Sequence, residues 1–440
     1  MILSSGKHDL LEDRSIFDIS TAFNYGQGMG AAQLLRWVTE HTELVHNPPY
    51  ADWACNLTIG STSAFDMALR MFCQRGDYII SEEYTFATAV ETAAPMGIKV
   101  LGVRMDEQGL LPDVLDDLLR TWQPSAHGGA RKPFLLYTVP TGQNPTGATQ
   151  GEARRRAIYR VCQKHDIYII EDEPYYFLQM QPYTGTSSVP TVTDPNPYCV
   201  STTTTTLDAF LATLIPSYLN LDVDGRVMRL DSFSKVVSPG ARTGWITACH
   251  QITERYRLHA DVSTQCPSGI SQLTLFKLLD EHWGHEGYVA WLRYVRNVYA
   301  ARRDCVVRAC ERYLPREVVS WTPPTAGMFH WLKVDWKRHP LAATKAVEEI
   351  EEELFLKSIE HGALVLRGSW FYAQRDVLHD TLFFRVTYAA APFEKIEEAI
   401  RRFGMAIRES FGLVKEEEEE APGWETNGVS KRKFESTEIW

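Results

Sequence analysis

The sequence predicts an α/β fold: a large domain with a mostly parallel sheet covered by helices, then a smaller α+β domain at the C-terminal end. Three observations predict it. Residues 134–139 (Phe-Leu-Leu-Tyr-Thr-Val) and 167–170 (Ile-Tyr-Ile-Ile) are short, nearly continuous apolar runs, as expected of strands buried on both faces. Strand and helix patterns alternate from Leu57 to Ala248, which indicates a doubly wound sheet with function at the strand C-termini. At 440 residues the chain is too long for one simple core, and its later part is helix-rich with a few strands. We divide it into an N-terminal arm and helix (1–50), the large domain (51–290), the small domain (291–412) and an acidic, disordered tail (413–440).

Composition narrows the function classes. Hydrophobic residues make up 44% and charged residues 23%, an ordinary globular balance. The net charge of -11, from 45 basic and 56 acidic residues, disfavours nucleic acid as a partner. The eight cysteines are scattered with no CxxC, which reads as reduced thiols and a cytoplasmic location. The first residues are too polar for a secretory signal. No charge-free apolar run is long enough to span a bilayer, so no membrane association is expected.

In chain order, residues 23–30 form a glycine-rich loop that carries Tyr25. Residues 31–43 have helical spacing, with Leu34, Leu35 and Val38 on one side. An apolar piece then ends at Gly60, and Ser61, Thr62 and Ser63 open a helix whose inner face is Phe65, Ala68, Leu69 and Phe72. Free N–H groups at such a start favour an anion, although an ordinary N-cap has the same pattern. Strands at 78–81 and 98–103 flank Phe86 and a helix over 87–96. A helix with proline in its first turn covers 112–122. The strand 134–139 runs into Pro140-Thr141-Gly142-Gln143-Asn144-Pro145-Thr146-Gly147, where Pro145 keeps Asn144 out of the helical region and lets its side chain enter a site.

The arginine-rich helix 152–165 reads as a solvated outer face. The strand 167–171 ends in Asp172-Glu173-Pro174-Tyr175-Tyr176, and an aspartate there needs a positive partner. Residues 181–220, rich in Ser, Thr and Pro, read as a surface insertion. The strand 227–231 opens into Ser232-Phe233-Ser234-Lys235, with Arg242 behind Pro239-Gly240 and a further strand at 244–248. A lysine held there suits Schiff-base chemistry with an aldehyde, and two hydroxyls with a guanidinium suit a phosphate. Taken alone, the motif reads better as a solvated loop. Residues 251–314 are helical, with a long helix over 291–313. Strands at 327–334, 363–366 and 381–388 and helices at 341–361 and 392–411 follow. Arg385 lies among Phe383, Phe384 and Val386. It needs an anion there, unless it pairs with a core carboxylate or points outward.

In this order, Gly60-Ser61-Thr62, Asn144-Pro145-Thr146-Gly147, Asp172 with Tyr175, Ser232-x-Ser234-Lys235, Arg242 and Arg385 resemble the fold-type I pyridoxal 5′-phosphate (PLP) aminotransferases. Leu136 to Pro140, Ile170 to Phe177 and Asp222 to Val227 look like the aromatic amino acid, kynurenine and 2-aminoadipate aminotransferase group, and the likeness covers roughly residues 25–411. The resemblance implies that Lys235 forms the Schiff base with PLP and that Asp172 pairs with the protonated pyridine nitrogen. Tyr175 and Asn144 would bond the ring's phenolic oxygen, and Asn144 would also border the substrate. Ser61, Thr62, Ser232, Ser234 and Arg242 would hold the phosphate. Phe86 would cover the ring, and Arg385 would bind the substrate carboxylate. Tyr25 would reach the phosphate of a neighbouring subunit, which implies a homodimer with shared active sites.

The resemblance also implies the reaction: the amino group of an aromatic amino acid, kynurenine or 2-aminoadipate passes to a 2-oxo acid such as 2-oxoglutarate. Family members carry a longer N-terminal segment with a Gly-x-Pro stretch over the active site. This chain starts a short way before Tyr25 without it, so either the start is truncated or the protein differs in lid and specificity. Two alternatives stay open on the sequence: a cofactor-binding dimer without turnover, and another PLP reaction such as β-elimination.

Overall fold

The computed structural model describes residues 16–185 and 207–413. Seven strands form the main sheet: β1 (Trp53–Thr58), β2 (Tyr78–Glu82), β3 (Lys99–Val103), β4 (Leu135–Thr138), β5 (Tyr168–Asp172), β6 (Val227–Ser232) and β7 (Gly244–Cys249). Their order is β1-β7-β6-β5-β4-β2-β3, and only β7 runs antiparallel to its neighbours. Strand period two sends alternate side chains into two cores. Leu135, Tyr137, Ile170, Met228 and Leu230 pack in one core with Phe65, Ala68 and Leu69. Leu136, Ile169 and Val227 pack in the other with Leu115, Leu119 and Ile158. Both faces are therefore covered, which accounts for the unbroken apolar runs.

The helices that cover the sheet and continue beyond it are α1 (Ala32–His46), α2 (Ser61–Phe72), α3 (Ala87–Ala93), α4 (Pro112–Arg120), α5 (Glu152–His165), α6 (His250–Asp261), α7 (Gly269–Phe276) and α8 (Gly284–Tyr313). A second, antiparallel sheet holds β8 (Val319–Ser320), β9 (Phe329–Val334), β10 (Leu366–Arg367) and β11 (Leu382–Thr387), in the order β8-β9-β11-β10. Helices α9 (Val347–Glu360) and α10 (Phe393–Phe411) cover one of its faces, where Leu332 and Phe384 are fully buried and Phe384 meets Phe403 at 5.2 Å. By alternation the other face carries Phe329, Trp331, Phe383 and Arg385, with Trp331 and Arg385 paired across the strands.

Four expectations need correction. The helix α5 is not a wholly solvated face: Arg155 is fully buried, because Gln150, Thr141 and Glu173 supply the partners a buried guanidinium requires. The stretch 181–220 is not a surface insertion throughout. Phe210, Tyr218 and Leu219 are core residues, and the backbone N–H groups of Tyr218 and Leu219 donate to the buried Glu171. Residues 186–206, with the threonine run, lie outside the described residues. The long helix starts earlier than expected, at Gly284, after a π-helical turn over Lys277–Trp283. Helix α9 starts at Val347 rather than near 341, where Glu349 accepts from the Ala346 N–H. The tail expected at 413–440 lies outside the described residues from 414 onward.

Candidate active site

The C-terminal end of β5 places Asp172 under the start of α2. Tyr137, on the neighbouring strand and the same face, donates to Asp172 Oδ2 at 2.8 Å. Asp172 Oδ1 is buried with no hydrogen-bond partner, and Ser61 Oγ is in the same state. Burial raises the Asp172 carboxyl to about 6, against the opposing pull of the Tyr137 hydroxyl. A small cavity beside it is lined by Ser61, Thr62, Phe86, Thr88, Tyr137 and Asp172, among others. A buried carboxylate with one oxygen unmatched calls for a cationic N–H.

At the mouth of this cavity α2 starts directly at Ser61. Its N-cap is Gly60 (φ 81), which supplies no capping side chain, so the first N–H groups stay free. A Cβ at Gly60 would lie 2.5 Å from Arg242 Nη2. The glycine thus leaves room for a guanidinium against the helix start. Arg242 is held by Ser234 Oγ at 3.2 Å and Pro239 O at 3.2 Å, and its own backbone is left-handed (φ 46). Ser232 Oγ donates to Ser234 Oγ at 2.9 Å and accepts from Ser234 N at 3.1 Å. Helix start, guanidinium and paired hydroxyls form a cradle whose charge and donors fit a phosphate.

Lys235 ends the 3₁₀ turn Phe233–Lys235 that leaves β6. It is exposed, and no carboxylate pairs with it among the described residues. Although the side chain as a whole is exposed, partial desolvation around its amine lowers the Lys235 pKa, and the cations Arg242 and Arg385 lower it further. This raises the share of neutral, nucleophilic amine at a given pH.

The far wall comes from the second sheet. Arg385 Nη1 donates to Asn144 Oδ1 at 2.6 Å, and Asn144 is 5% exposed. The guanidinium lies 4.5 Å from the Phe329 ring centre and 4.6 Å from that of Phe371. Its Nε is buried without a partner, and no carboxylate pairs with it among the described residues. Burial lowers the Arg385 pKa to about 10. Tyr175, buried, packs edge-on against Phe329 at 5.7 Å. Burial and the Asp172 charge raise its phenol pKa, so it stays protonated. Gly142 and Gly327 bring the two parts together: a Cβ on Gly142 would lie 2.6 Å from the Gly327 backbone.

The structure gathers Ser61, Thr62, Phe86 and Asp172 around one cavity, joins Ser232, Ser234 and Arg242 in one cradle, and joins Asn144 to Arg385. Tyr25 is not brought in. It stands 96% exposed in the loop before α1. Three contributors were missed from the sequence. Tyr137 had a signal, since its strand parity matches that of Asp172 one strand away. Phe329 and Phe371 had none, because apolar residues beside a charge read as core.

A family model for aminotransferase class I and II matches residues 11–403. An aromatic amino acid aminotransferase of Schizosaccharomyces pombe is 43% identical over 415 residues, covering 93% of this chain and 85% of the relative. The mitochondrial kynurenine/alpha-aminoadipate aminotransferase of Bos taurus is 32% identical over 398 residues, covering 88% and 83%. The crystal structure of an aminotransferase from Candida albicans superposes with a TM-score of 0.82 at 40% identity, covering 90% of this chain and 81% of that one. With the family match spanning most of the chain and relatives more than 30% identical over most of its length, this chain belongs to the class I and II aminotransferases and is a transaminase.

Proposed function

We propose that this transaminase uses PLP to move the amino group of an aromatic amino acid, or of kynurenine or 2-aminoadipate, to a 2-oxo acid such as 2-oxoglutarate. The observation that carries the reading is the pair of unmatched charges on opposite walls of the site, Asp172 Oδ1 and the Arg385 guanidinium. The first fits the protonated nitrogen of a pyridine ring and the second a substrate carboxylate. The cradle at Gly60 and Arg242 fits the cofactor phosphate. Bound there, PLP supplies an electron sink for the charge left when a substrate Cα proton departs.

The chain's own residues do the rest. Arg385 and Asn144 orient the substrate. Phe86 and Tyr175 bound the ring, and Ser61, Thr62, Ser232, Ser234 and Arg242 hold the phosphate. Lys235 is the covalent anchor and the base that moves the Cα proton; its lowered pKa favours both roles. In this reading the exposed Tyr25 serves the cradle of a second copy, so the active form is a homodimer. We place the enzyme in the cytoplasm, in keeping with buried free thiols such as Cys55, Cys162 and Cys310. Among the described residues no helix is long and apolar enough to cross a membrane.

The test is an absorbance spectrum of the purified protein before and after phenylalanine or tyrosine is added without an oxo acid. The lysine-linked cofactor band should convert to that of pyridoxamine phosphate. In Lys235→Ala both the band and turnover should be lost. Retained turnover in that variant would overturn the assignment of Lys235.

A further inference from the structure

Between β10 and β11 the chain crosses from the small sheet to the edge of the large one. Gly368–Phe371 is a 3₁₀ turn anchored on the small-sheet side by Glu351 of α9, which accepts from Arg367 Nε at 2.9 Å and Ser369 N at 3.0 Å. On the other side the turn is tied to the large domain. Phe371 O accepts from Thr85 N at 2.8 Å, and Ala373 N donates to Glu83 O at 2.9 Å. Gln374 Oε1 accepts from Gly102 N at 3.1 Å. The segment is thus a strap between the two sheets. Thr85 immediately precedes Phe86, which lines the cavity beside Asp172.

Phe371 lies at the centre of this strap and is 5% exposed. Its carbonyl accepts from Thr85 N, and its ring centre lies 4.6 Å from the Arg385 guanidinium, which the Phe329 ring also approaches, at 4.5 Å. A guanidinium packed against two rings and tied by Nη1 to Asn144 Oδ1 has little freedom to turn, and its remaining N–H donors lie in its own plane. A clamp of this kind fixes the plane in which a carboxylate is met, and so lowers the entropy cost of bidentate binding.

We propose that Phe371 is a positioning residue for carboxylate recognition: its ring holds Arg385 in plane while its carbonyl ties that arginine to the Phe86 wall. The proposal rests on the reading of Arg385 as the carboxylate site. It adds that the strap, and not Arg385 alone, sets affinity for the carboxylate shared by amino acid and oxo acid. A merely structural Phe371 would act on stability without separating binding from turnover.

The experiment measures binding of 3-phenylpropanoate, which has the carboxylate but no amine to react, to the holoenzyme by calorimetry. Phe371→Leu should weaken it about tenfold, the loss of one desolvated ring–cation contact. The KM values for amino acid and oxo acid should rise by the same factor, with kcat changed less than about twofold. Phe371→Tyr, which keeps the ring, should restore binding. Should Phe371→Leu fail to fold, Phe371→Met keeps the side-chain volume and gives the same readout. Unchanged binding in the folded Leu or Met variant overturns the proposal, as does equal weakening in Phe371→Tyr. Arg385→Lys separates the two readings. If it leaves 3-phenylpropanoate binding intact, the carboxylate role of Arg385 fails. If it weakens binding and Phe371→Leu does not, only the strap proposal fails.

Discussion

Strand β5 ends with three acids in a row, and the two faces of the strand treat them differently. Glu171 and Glu173 point to one face. There Arg155 Nη1 meets Glu173 at 3.3 Å and Glu171 at 3.7 Å, and Arg229 meets Glu171 at 3.2 Å and Asp231 at 2.8 Å. Three carboxyls face two guanidinium groups. Burial pushes the Glu173 carboxyl up, against the pull of Arg155 and Arg229, which eases the excess of acid on this face. Asp172 points to the other face, where no cation pairs with it among the described residues, the Tyr137 phenol donates to Oδ2, and Oδ1 has no hydrogen bond. A buried charge that the chain neutralises itself belongs to the scaffold. A buried charge left unmatched beside a cavity marks the place of a ligand. Adjacent residues of one strand fall on opposite sides of that distinction.

The largest effect should come from breaking the balanced face. Arg229→Met strands Asp231 in a dry interior, leaves Glu171 with Arg155 as its remaining cation, and removes the cation over the Tyr176 ring, 4.6 Å from its centre. Removing one partner of a buried pair costs about 3–5 kcal/mol, and denaturant unfolding should show a loss of that size. Turnover per folded molecule should stay near normal, because this face touches no ligand. A stability loss under about 1 kcal/mol would mean that the network is wetter than its geometry shows.

The unmatched face should behave in the opposite way. Asp172→Asn keeps the shape and the Tyr137 donor but removes the charge. The folded-state pKa of Asp172 is raised from 3.8 to about 6, so the folded chain binds this proton more tightly than the unfolded one. The stability it contributes is therefore fully present below the unfolded value and is lost as pH rises through about 6. In the cofactor-free chain, Asp172→Asn should thus be more stable than the parent at pH 7. The gain is at most about 3 kcal/mol and should shrink as the pH is lowered. The same variant should retain its cofactor poorly. Thermal melts across pH, with and without cofactor, check both signs at once; a destabilised cofactor-free variant would place Asp172 with the scaffold charges.

Legibility in the sequence follows the same division. Residues at strand ends that the chain leaves unsatisfied, such as Asp172 and Lys235, stand out because their polarity breaks an apolar run. The two-sided burial of the central strands was likewise readable, from their unbroken apolar runs. Arg155 was not: its partners Glu171 and Glu173 lie on another element, so a fully buried cation in an arginine-rich helix looks solvated. Tyr218 and Leu219 were hidden because a Ser/Thr-rich neighbourhood suggests surface, whereas their backbone caps Glu171. The clamp on Arg385 was hidden for a different reason. Phe371 lies in an irregular strap with no periodicity, and only the crossing between the sheets sets its ring on the guanidinium.

The smallest effect, and the finest test of the comparison, concerns Tyr137. Its phenol is buried, and burial with the Asp172 charge pushes its pKa far up, so it keeps its proton and acts only as a donor to the carboxylate. Tyr137→Phe removes the one hydrogen bond that Asp172 Oδ2 has. A hydrogen bond to a charged acceptor is worth about 1.5 kcal/mol at the low end, or roughly tenfold in cofactor affinity at pH 7. The loss should grow as pH falls, because without its donor Asp172 titrates above its present value of about 6 and spends more time neutral. Cofactor titrations of the stripped protein at several pH values would show this as two curves that diverge toward acid. Curves that stay parallel would mean that Tyr137 is packing for Phe65, whose ring lies 4.6 Å away, and that Oδ1 faces the cofactor without help from Oδ2.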